Sequence, residues 1–367
     1  MTVEKKDLDW GNLDFSYRKT DYSYVSNYKD GAWDEGGLTT DHTITLSECA
    51  GILHYCQEVF EGLKAYTTED GSIVCFRPDM NAQRMADSAE RLVMPAFPQD
   101  RFVEAVKQVV EANAAWVPPF GSGATLYVRP LMVATGDVIG VKPADEYQFR
   151  ILVTPVGPYF KGGDTAVKLC VSKYDRAAPH GTGNIKAGLN YAMSLKAGMD
   201  AHANGYAENL YLDSESRTYV EETGGANVLF VAKDGTLVVP KSHTDSILPS
   251  ITRRSLVQVA RTWASPLTSV PSRGPRSPRV PLWSAACAAP PRSSPRWARS
   301  TTATRSWSSP TVTSLRSGDE EASRDSHRHP GRQHRGQARL GLQDLLRRFQ
   351  SRLLRPNCID DGVDVRW

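Results

Sequence analysis

At 367 residues the chain exceeds one ordinary domain, and its 40% hydrophobic and 23% charged content is that of a globular enzyme with two domains sharing a cleft. No Lys/Arg-flanked apolar segment opens the chain and no stretch nears the roughly 18 apolar residues of a membrane span, so no membrane partner and a cytoplasmic address are expected. Six scattered cysteines without a Cys-x-x-Cys pair argue for buried free thiols rather than a disulfide framework or a metal site.

The formal charge of +3 hides an asymmetry. Thr262 to Trp367 holds 18 Arg, no Lys and 8 Asp+Glu, or +10; the other 261 residues hold 44 − 18 = 26 basic and 41 − 8 = 33 acidic groups, or −7. The chain changes character near Thr262.

In chain order, the spacing predicts strands at Ser72–Phe76, Thr125–Thr135, Phe149–Val156, Ala166–Ser172, Asn209–Leu212, Asn227–Ala232 and Leu237–Val239. Helices are predicted between them. Pro78 suits the first turn of one carrying Met85, Ala89, Leu92 and Val93. Phe102, Val103, Val106, Val109 and Val110 mark the next, and a third runs from about Leu189 to a C′ glycine at Gly205. The fourth starts after Ser250, a good N-cap. The pattern is α/β. A linker at Pro155–Gly163 divides a small N-terminal domain, residues 1–155, from a second domain, with residues 156–164 as the interdomain loop. The second domain runs over 165–261. Residues 262–367 form an Arg/Pro/Ser-rich tail in which only Gln337–Leu354 regains some helical period, and which composition reads as disordered.

Lys186 sits in Gly181-Thr-Gly-Asn-Ile-Lys-Ala-Gly-Leu-Asn-Tyr191, where small neighbours let a flat ligand approach its amine. A lysine forms a Schiff base only as the neutral amine, so such chemistry needs desolvation to lower its pKa from about 10.4. Glu222 precedes a glycine pair, where a carboxylate can meet a heterocycle's ring nitrogen. The free N–H groups of Ile251 and Thr252 open the fourth helix and make an anion site suited to phosphate. Arg84 either pairs a phosphate or covers apolar surface. Tyr127 and Arg129, two apart on a strand, share a face. Singly, each has an ordinary explanation: a surface lysine, a solvated turn glutamate, a capped helix, core packing.

Together the motifs Phe60-Glu-Gly-Leu-Lys-Ala-Tyr66, Asn81-Ala-Gln-Arg84-Met85, Leu126-Tyr-Val-Arg-Pro130, Asn184-Ile-Lys-Ala-Gly-Leu-Asn-Tyr191, Val220-Glu-Glu-Thr-Gly-Gly-Ala-Asn227 and Ile247-Leu-Pro-Ser-Ile-Thr-Arg253 stand in one order. This set resembles the branched-chain aminotransferases of pyridoxal-phosphate fold type IV, the class IV aminotransferase family, over Leu13 to Arg261. The resemblance implies transamination of L-leucine, L-isoleucine and L-valine with 2-oxoglutarate, and pyridoxal 5'-phosphate as cofactor. Fold type IV implies a smaller N-terminal α/β domain and a larger C-terminal domain, the latter incomplete here. Lys186 is implied as the catalytic, cofactor-bound lysine, Glu222 as the partner of the pyridine nitrogen and Tyr191 as the partner of the phenolate oxygen. Arg84, Ile251 and Thr252 would hold the phosphate, and Tyr55, Phe60, Tyr127 and Arg129 would shape the substrate pocket. Part of that pocket comes from a partner subunit in this family, which implies a homodimer. D-amino-acid aminotransferases and aminodeoxychorismate lyases would share Lys186 and Glu222, and a cofactor-binding pseudoenzyme is a further alternative. An arginine-rich nucleic-acid-binding tail is a reading from another class, disfavoured because the tail lacks interleaved aromatics.

The family continues with a strand and a Cys-Gly-Thr-Ala turn whose threonine binds phosphate, and the sequence contains no such turn. Taking the third base of each codon with the first two of the next, Trp283–Ser300 permits Val-Cys-Gly-Leu-Cys-Gly-Thr-Ala-Ala-Val-Ile-Ser-Pro-Val-Gly-Glu-Ile, and Arg261–Ser265 permits Asp-Leu-Gly-Ile. The expectation is an out-of-frame translation after Arg261, leaving the second domain incomplete and the chain as written inactive or poorly soluble.

Overall fold

The computed structural model describes residues 3–158, 167–232 and 236–262, and the backbone of short strands at 267–270, 272–273, 282–288, 305–308 and 313–315. Two sheets, one in each half of the chain, are flanked by helices.

The first half runs β1 (Ser23–Lys29), β2 (Ala32–Trp33), β3 (Gly37–Thr39), α1 (Gly51–Tyr55), β4 (Glu58–Phe60), β5 (Leu63–Thr67), β6 (Ile73–Cys75), α2 (Pro78–Arg91), α3 (Gln99–Ala112), β7 (Thr125–Ala134) and β8 (Tyr147–Val156). Its sheet has the order β2-β1-β8-β7-β5-β6, with β3 on β1 and β4 on β7, and every pairing is antiparallel. The hairpin of β7 and β8 pairs ten residues with ten, from Thr125–Val156 to Ala134–Tyr147. Alternation along β7 turns Leu126, Val128 and Met132 into the core and leaves Tyr127 and Arg129 on the other face, as their spacing predicts. Helices α2 and α3 cover the core face with Met85, Ala89, Phe102, Ala105, Val106 and Val109. Pro78 stands at the start of α2, where its missing N–H costs nothing.

The second half runs β9 (Leu169–Val171), α4 (Gly188–Ala192), α5 (Leu195–Ala203), β10 (Glu208–Leu212), β11 (Tyr219–Thr223), β12 (Asn227–Ala232), β13 (Leu237–Pro240), α6 (Ile251–Thr262), β14 (Leu267–Val270), β15 (Ser272–Arg273) and β16 (Leu282–Ala288), followed by a separate pair, β17 (Arg305–Ser308) with β18 (Thr313–Leu315). Its sheet has the order β14-β13-β12-β11-β10-β9, with β15 on β11 and β16 on β12. The β9–β10 and β13–β14 pairs are parallel. One face packs on Leu169, Leu210, Val220, Val228, Phe230 and Val238, the other on Leu229, Val231, Leu237, Val239 and α6 through Leu256 and Ala260.

Two expectations change in detail. The single helix expected from Leu189 to Gly205 is two, α4 and α5. The Ser194 hydroxyl donates back to the Asn190 carbonyl at 3.1 Å at the break, a competing bond that bends helices. The expected stop holds: Gly205 has φ +77°, its N–H reaches the His202 carbonyl and the Tyr206 N–H reaches Ala201, a Schellman cap. Glu222 stands in the last two residues of β11, before Gly224 and Gly225, opposite Asn227 of β12. In the tail, where no strand is expected, β14, β15 and β16 add to strands of the second sheet and β17 pairs with β18; the rest of 263–367, including the helical stretch expected at 337–354, lies outside the described residues. Of the expected linker, residues 159–164 lie outside them too.

Candidate active site

Between the halves lies a cavity. All six residues expected to hold the cofactor line it: Arg84 from α2, Lys186 from the loop before α4, Tyr191 from α4, Glu222 from β11, and Ile251 and Thr252 from the start of α6. Gly224 and Gly225 add backbone without side chains.

The Lys186 amine donates to the Tyr191 hydroxyl at 2.7 Å and lies 4.7 Å from the Phe60 ring centre. The first contact follows from local structure, since the turn into α4 brings residue 191 back over residue 186. Glu222 is buried. Its Oε1 is ion-paired with the Arg176 guanidinium at 2.7 Å and accepts from the Leu248 N–H at 3.0 Å, and its Oε2 accepts from Asn227 at 2.7 Å. Burial pushes the Glu222 carboxyl up, opposed by the Arg176 guanidinium, the Leu248 N–H and Arg253.

Arg84 donates Nε and Nη2 to the two oxygens of Glu61, each at 2.7 Å, and Nη1 to the Pro249 carbonyl at 3.2 Å. Three of its five N–H groups are thereby engaged, and two remain for a ligand. At the start of α6 the Ser250 hydroxyl takes the Arg253 N–H at 3.1 Å and the Ser250 carbonyl takes the Arg254 N–H at 3.0 Å, as the expected N-cap should. The amides of Ile251 and Thr252 have no intrahelical acceptor, because they precede the first helical bond.

The expected substrate residues divide. Phe60 packs 5.0 Å from the Tyr191 ring, Arg129 stacks 4.6 Å over Phe60, and Arg129 donates to the Tyr127 hydroxyl at 2.9 Å, so these three form one wall beside Lys186. Tyr55 does not join them. It is 37% exposed at the end of α1 and its hydroxyl donates to the Ile139 carbonyl. Sequence reasoning missed Arg176, Glu61, Asn81 and Asn227. Glu61 lies inside a quoted motif, and its place in the alternation of β4 and β5 was the available signal. Nothing local distinguishes Arg176, a loop residue whose partner Glu222 stands in β11.

The donor set fits a phosphorylated pyridine aldehyde. An amine stands ready for the aldehyde, a buried carboxylate for the ring nitrogen, and a helix start with an arginine for the phosphate, while Asn227 Oδ1 and Arg176 Nε are buried without a partner among the described residues.

The chain matches the amino-transferase class IV family model over residues 58–269, and it belongs to that family. Its chemistry is pyridoxal-phosphate-dependent transamination of branched-chain amino acids, with amino and 2-oxo acids as substrates. It is similar to the branched-chain-amino-acid aminotransferase of Haemophilus influenzae, 51% identical over 261 residues covering 70% of this chain and 76% of that one. A relative of the same name from Helicobacter pylori is 45% identical over 258 residues, covering 70% and 75%. Among solved structures, the branched-chain amino acid aminotransferase of Thermobaculum terrenum in its PLP-bound holo form is similar at TM-score 0.58 and 25% identity, covering 74% of this chain and 82% of that one. These relatives do not favour the D-amino-acid or lyase alternatives. No described helix is long and apolar enough to cross a membrane.

Proposed function

We propose that Lys186 is the lysine that joins the cofactor and moves the proton at the substrate α-carbon during exchange of amino groups between leucine, isoleucine or valine and 2-oxoglutarate. Bound pyridoxal phosphate supplies the aldehyde that takes the amino group and the ring that accepts electrons released at the α-carbon. Glu222, whose burial pushes its carboxyl up against the opposing pull of Arg176 and the Leu248 N–H, would pair the ring nitrogen and hold it protonated. Tyr191 orients the Lys186 amine through its hydroxyl and meets the ring oxygen. Arg84 and the amides of Ile251 and Thr252 hold the phosphate. Phe60, Tyr127 and Arg129 give apolar wall and a cation for glutamate's distal carboxylate. The observation that carries this reading is the meeting of six residues spread from Arg84 to Thr252 around one cavity. Borohydride reduction of the cofactor-loaded chain, followed by peptide mapping, tests it. The pyridoxyl label is expected on Lys186; a label on another lysine, or none, overturns the assignment.

The pocket is completed by a second copy of the chain, and the enzyme works in the cytoplasm as a homodimer. Supporting this, Leu53 (57%), Tyr55 (37%), Ile139 (73%) and Val141 (89%) are apolar or aromatic and exposed, and the Tyr55–Ile139 bond joins the two segments that carry them. Sedimentation at micromolar concentration should give twice the chain mass; a monomer would refute it.

The segment after Arg261 is an out-of-frame translation, and turnover of the chain as written is depressed. The back-translated Cys-Gly-Thr-Ala turn and the end of the matched stretch near residue 269 support this. A lost charge-assisted phosphate bond would weaken the cofactor's hold by about 1.5–3 kcal/mol, roughly ten- to a hundredfold in affinity. Sequencing the coding DNA across Arg261 decides the matter, and an intact frame in the source would end the idea.

A further inference from the structure

The backbone around Lys186 belongs to the second half of the chain but is gripped by the first. The Lys186 N–H donates to the Ser88 hydroxyl oxygen at 3.1 Å, and the Lys186 carbonyl accepts the Phe60 N–H at 3.0 Å. Two residues on, the Gly188 N–H donates to Glu58 Oε2 at 2.9 Å. Three polar contacts thus cross from α2 and β4 to the loop that carries the amine.

Ser88 is 1% exposed, and its O–H donates to the Arg84 carbonyl one helical turn back at 2.8 Å. A serine hydroxyl has one proton, so once that proton is committed to Arg84 the oxygen can only accept, and the Lys186 N–H is what it accepts. Arg84 and Ser88 are four apart on one face of α2. The turn that aims the Arg84 guanidinium into the cavity therefore also fixes the height of Lys186.

Glu58 sits two residues from Phe60, so both project from the same side of β4. The Phe60 ring lies under the Lys186 amine and Glu58 lies under the first turn of α4, which carries Tyr191. A Cβ at position 188 would run into the Glu58 carboxylate, so the approach requires glycine there. Burial pushes the Glu58 carboxyl up, opposed by the Gly188 N–H and by Arg129.

We propose that Ser88 and Glu58 are positioning residues for Lys186: the first domain clamps the lysine loop at residues 186 and 188 and so sets where the amine stands against Tyr191. The proposal rests on Lys186 being the cofactor lysine. Neither residue lines the cavity; both act through backbone.

Amide hydrogen exchange on the full chain, free and loaded with pyridoxal phosphate, reads the two bonds directly. Ser88→Ala should speed exchange at Lys186 about tenfold or more while α3 and β7 keep their protection, and Ser88→Thr, which retains the acceptor, should restore it. Glu58→Ala should do the same at Gly188, and Glu58→Gln, whose amide oxygen still accepts, should restore it. In the loaded chain, Ser88→Ala should also move the pH midpoint of the visible absorption band by about half a unit, with Ser88→Thr unmoved. Unchanged exchange in both alanine variants, or conservative variants that behave like alanine, overturns the proposal. Borohydride mapping on the same samples separates the two claims: a label on Lys186 with unchanged exchange sinks the clamp alone, whereas a label on another lysine removes the assignment on which the clamp depends.

Discussion

Two buried arginine–glutamate pairs flank the cavity, each closing at 2.7 Å, and they are built for different work. In the first half, Arg84 occupies both oxygens of Glu61 and Asn81 adds a third bond to the same carboxylate at 2.7 Å. Glu61 is 0% exposed and does not line the cavity, and its carboxylate, also bonded by Asn81 and the Gly62 N–H, holds the Arg84 guanidinium in place. In the second half, Arg176 reaches Glu222 through one nitrogen, and Glu222 does line the cavity. Both carboxylates are held by three groups, Glu222 by Arg176, Asn227 and the Leu248 N–H, but only Glu222 borders the cavity, where a ligand cation can reach it. Burial and an arginine partner are common to both, so neither marks a working carboxylate. What marks it is the face left open.

The largest effect that bears on this contrast is at the amine between the pairs: Lys186→Ala should lower turnover about 10⁴-fold, measured as branched-chain 2-oxo acid formed from leucine, because the proposed proton carrier is lost. Next, Glu222→Ala and Glu61→Ala should each destabilise the fold by about 3–5 kcal/mol in denaturant titration, since each strands a buried arginine. Their turnovers should part, with Glu222→Ala losing about 10²–10³-fold and Glu61→Ala under about tenfold in the folded fraction. Equal losses of turnover would break the comparison.

A smaller and sharper effect is one of pH. Arg176 opposes the upward push of burial on Glu222, so Arg176→Met should raise that carboxyl further. With Glu222 pairing the ring nitrogen as proposed, which needs the ionised form, the acid limb of kcat/KM should move to higher pH. The stability linkage has the matching sign. A carboxyl raised in the folded state contributes stability below its ordinary value, and that contribution is lost as pH rises through the folded value. An acid limb that stays in place would show that Arg176 does not control Glu222. Smallest, Ser250→Ala removes the α6 cap and should cost about 1 kcal/mol in thermal unfolding, with cofactor affinity falling in step. Affinity held constant would separate the cap from the phosphate site.

Local signals were legible where one element contained its own evidence. Pro78 and Ser250 announced α2 and α6, period-two alternation announced β7, and the five-residue spacing of Lys186 and Tyr191 survives as a direct hydrogen bond. Strands β1, β5 and β11 were not predicted, because their residues mix polar and apolar on both faces and their pairing comes from β8, β7 and β10. Tyr55, grouped with the substrate residues by resemblance, stands outside the wall of Phe60, Tyr127 and Arg129 in the single chain.

By itself the sequence determined the chemistry on offer: a lysine among glycines, a helix start with free amides, and a carboxylate before a glycine pair. It also determined which residues share a helix or strand face, since that depends only on backbone period. Only the tertiary structure decided which charges meet. Arg176 with Glu222, Arg84 with Glu61, and Ser88 with Lys186 are distant in sequence, and a buried charge or amide is satisfied by whatever folding brings within about 3 Å, which no local pattern encodes.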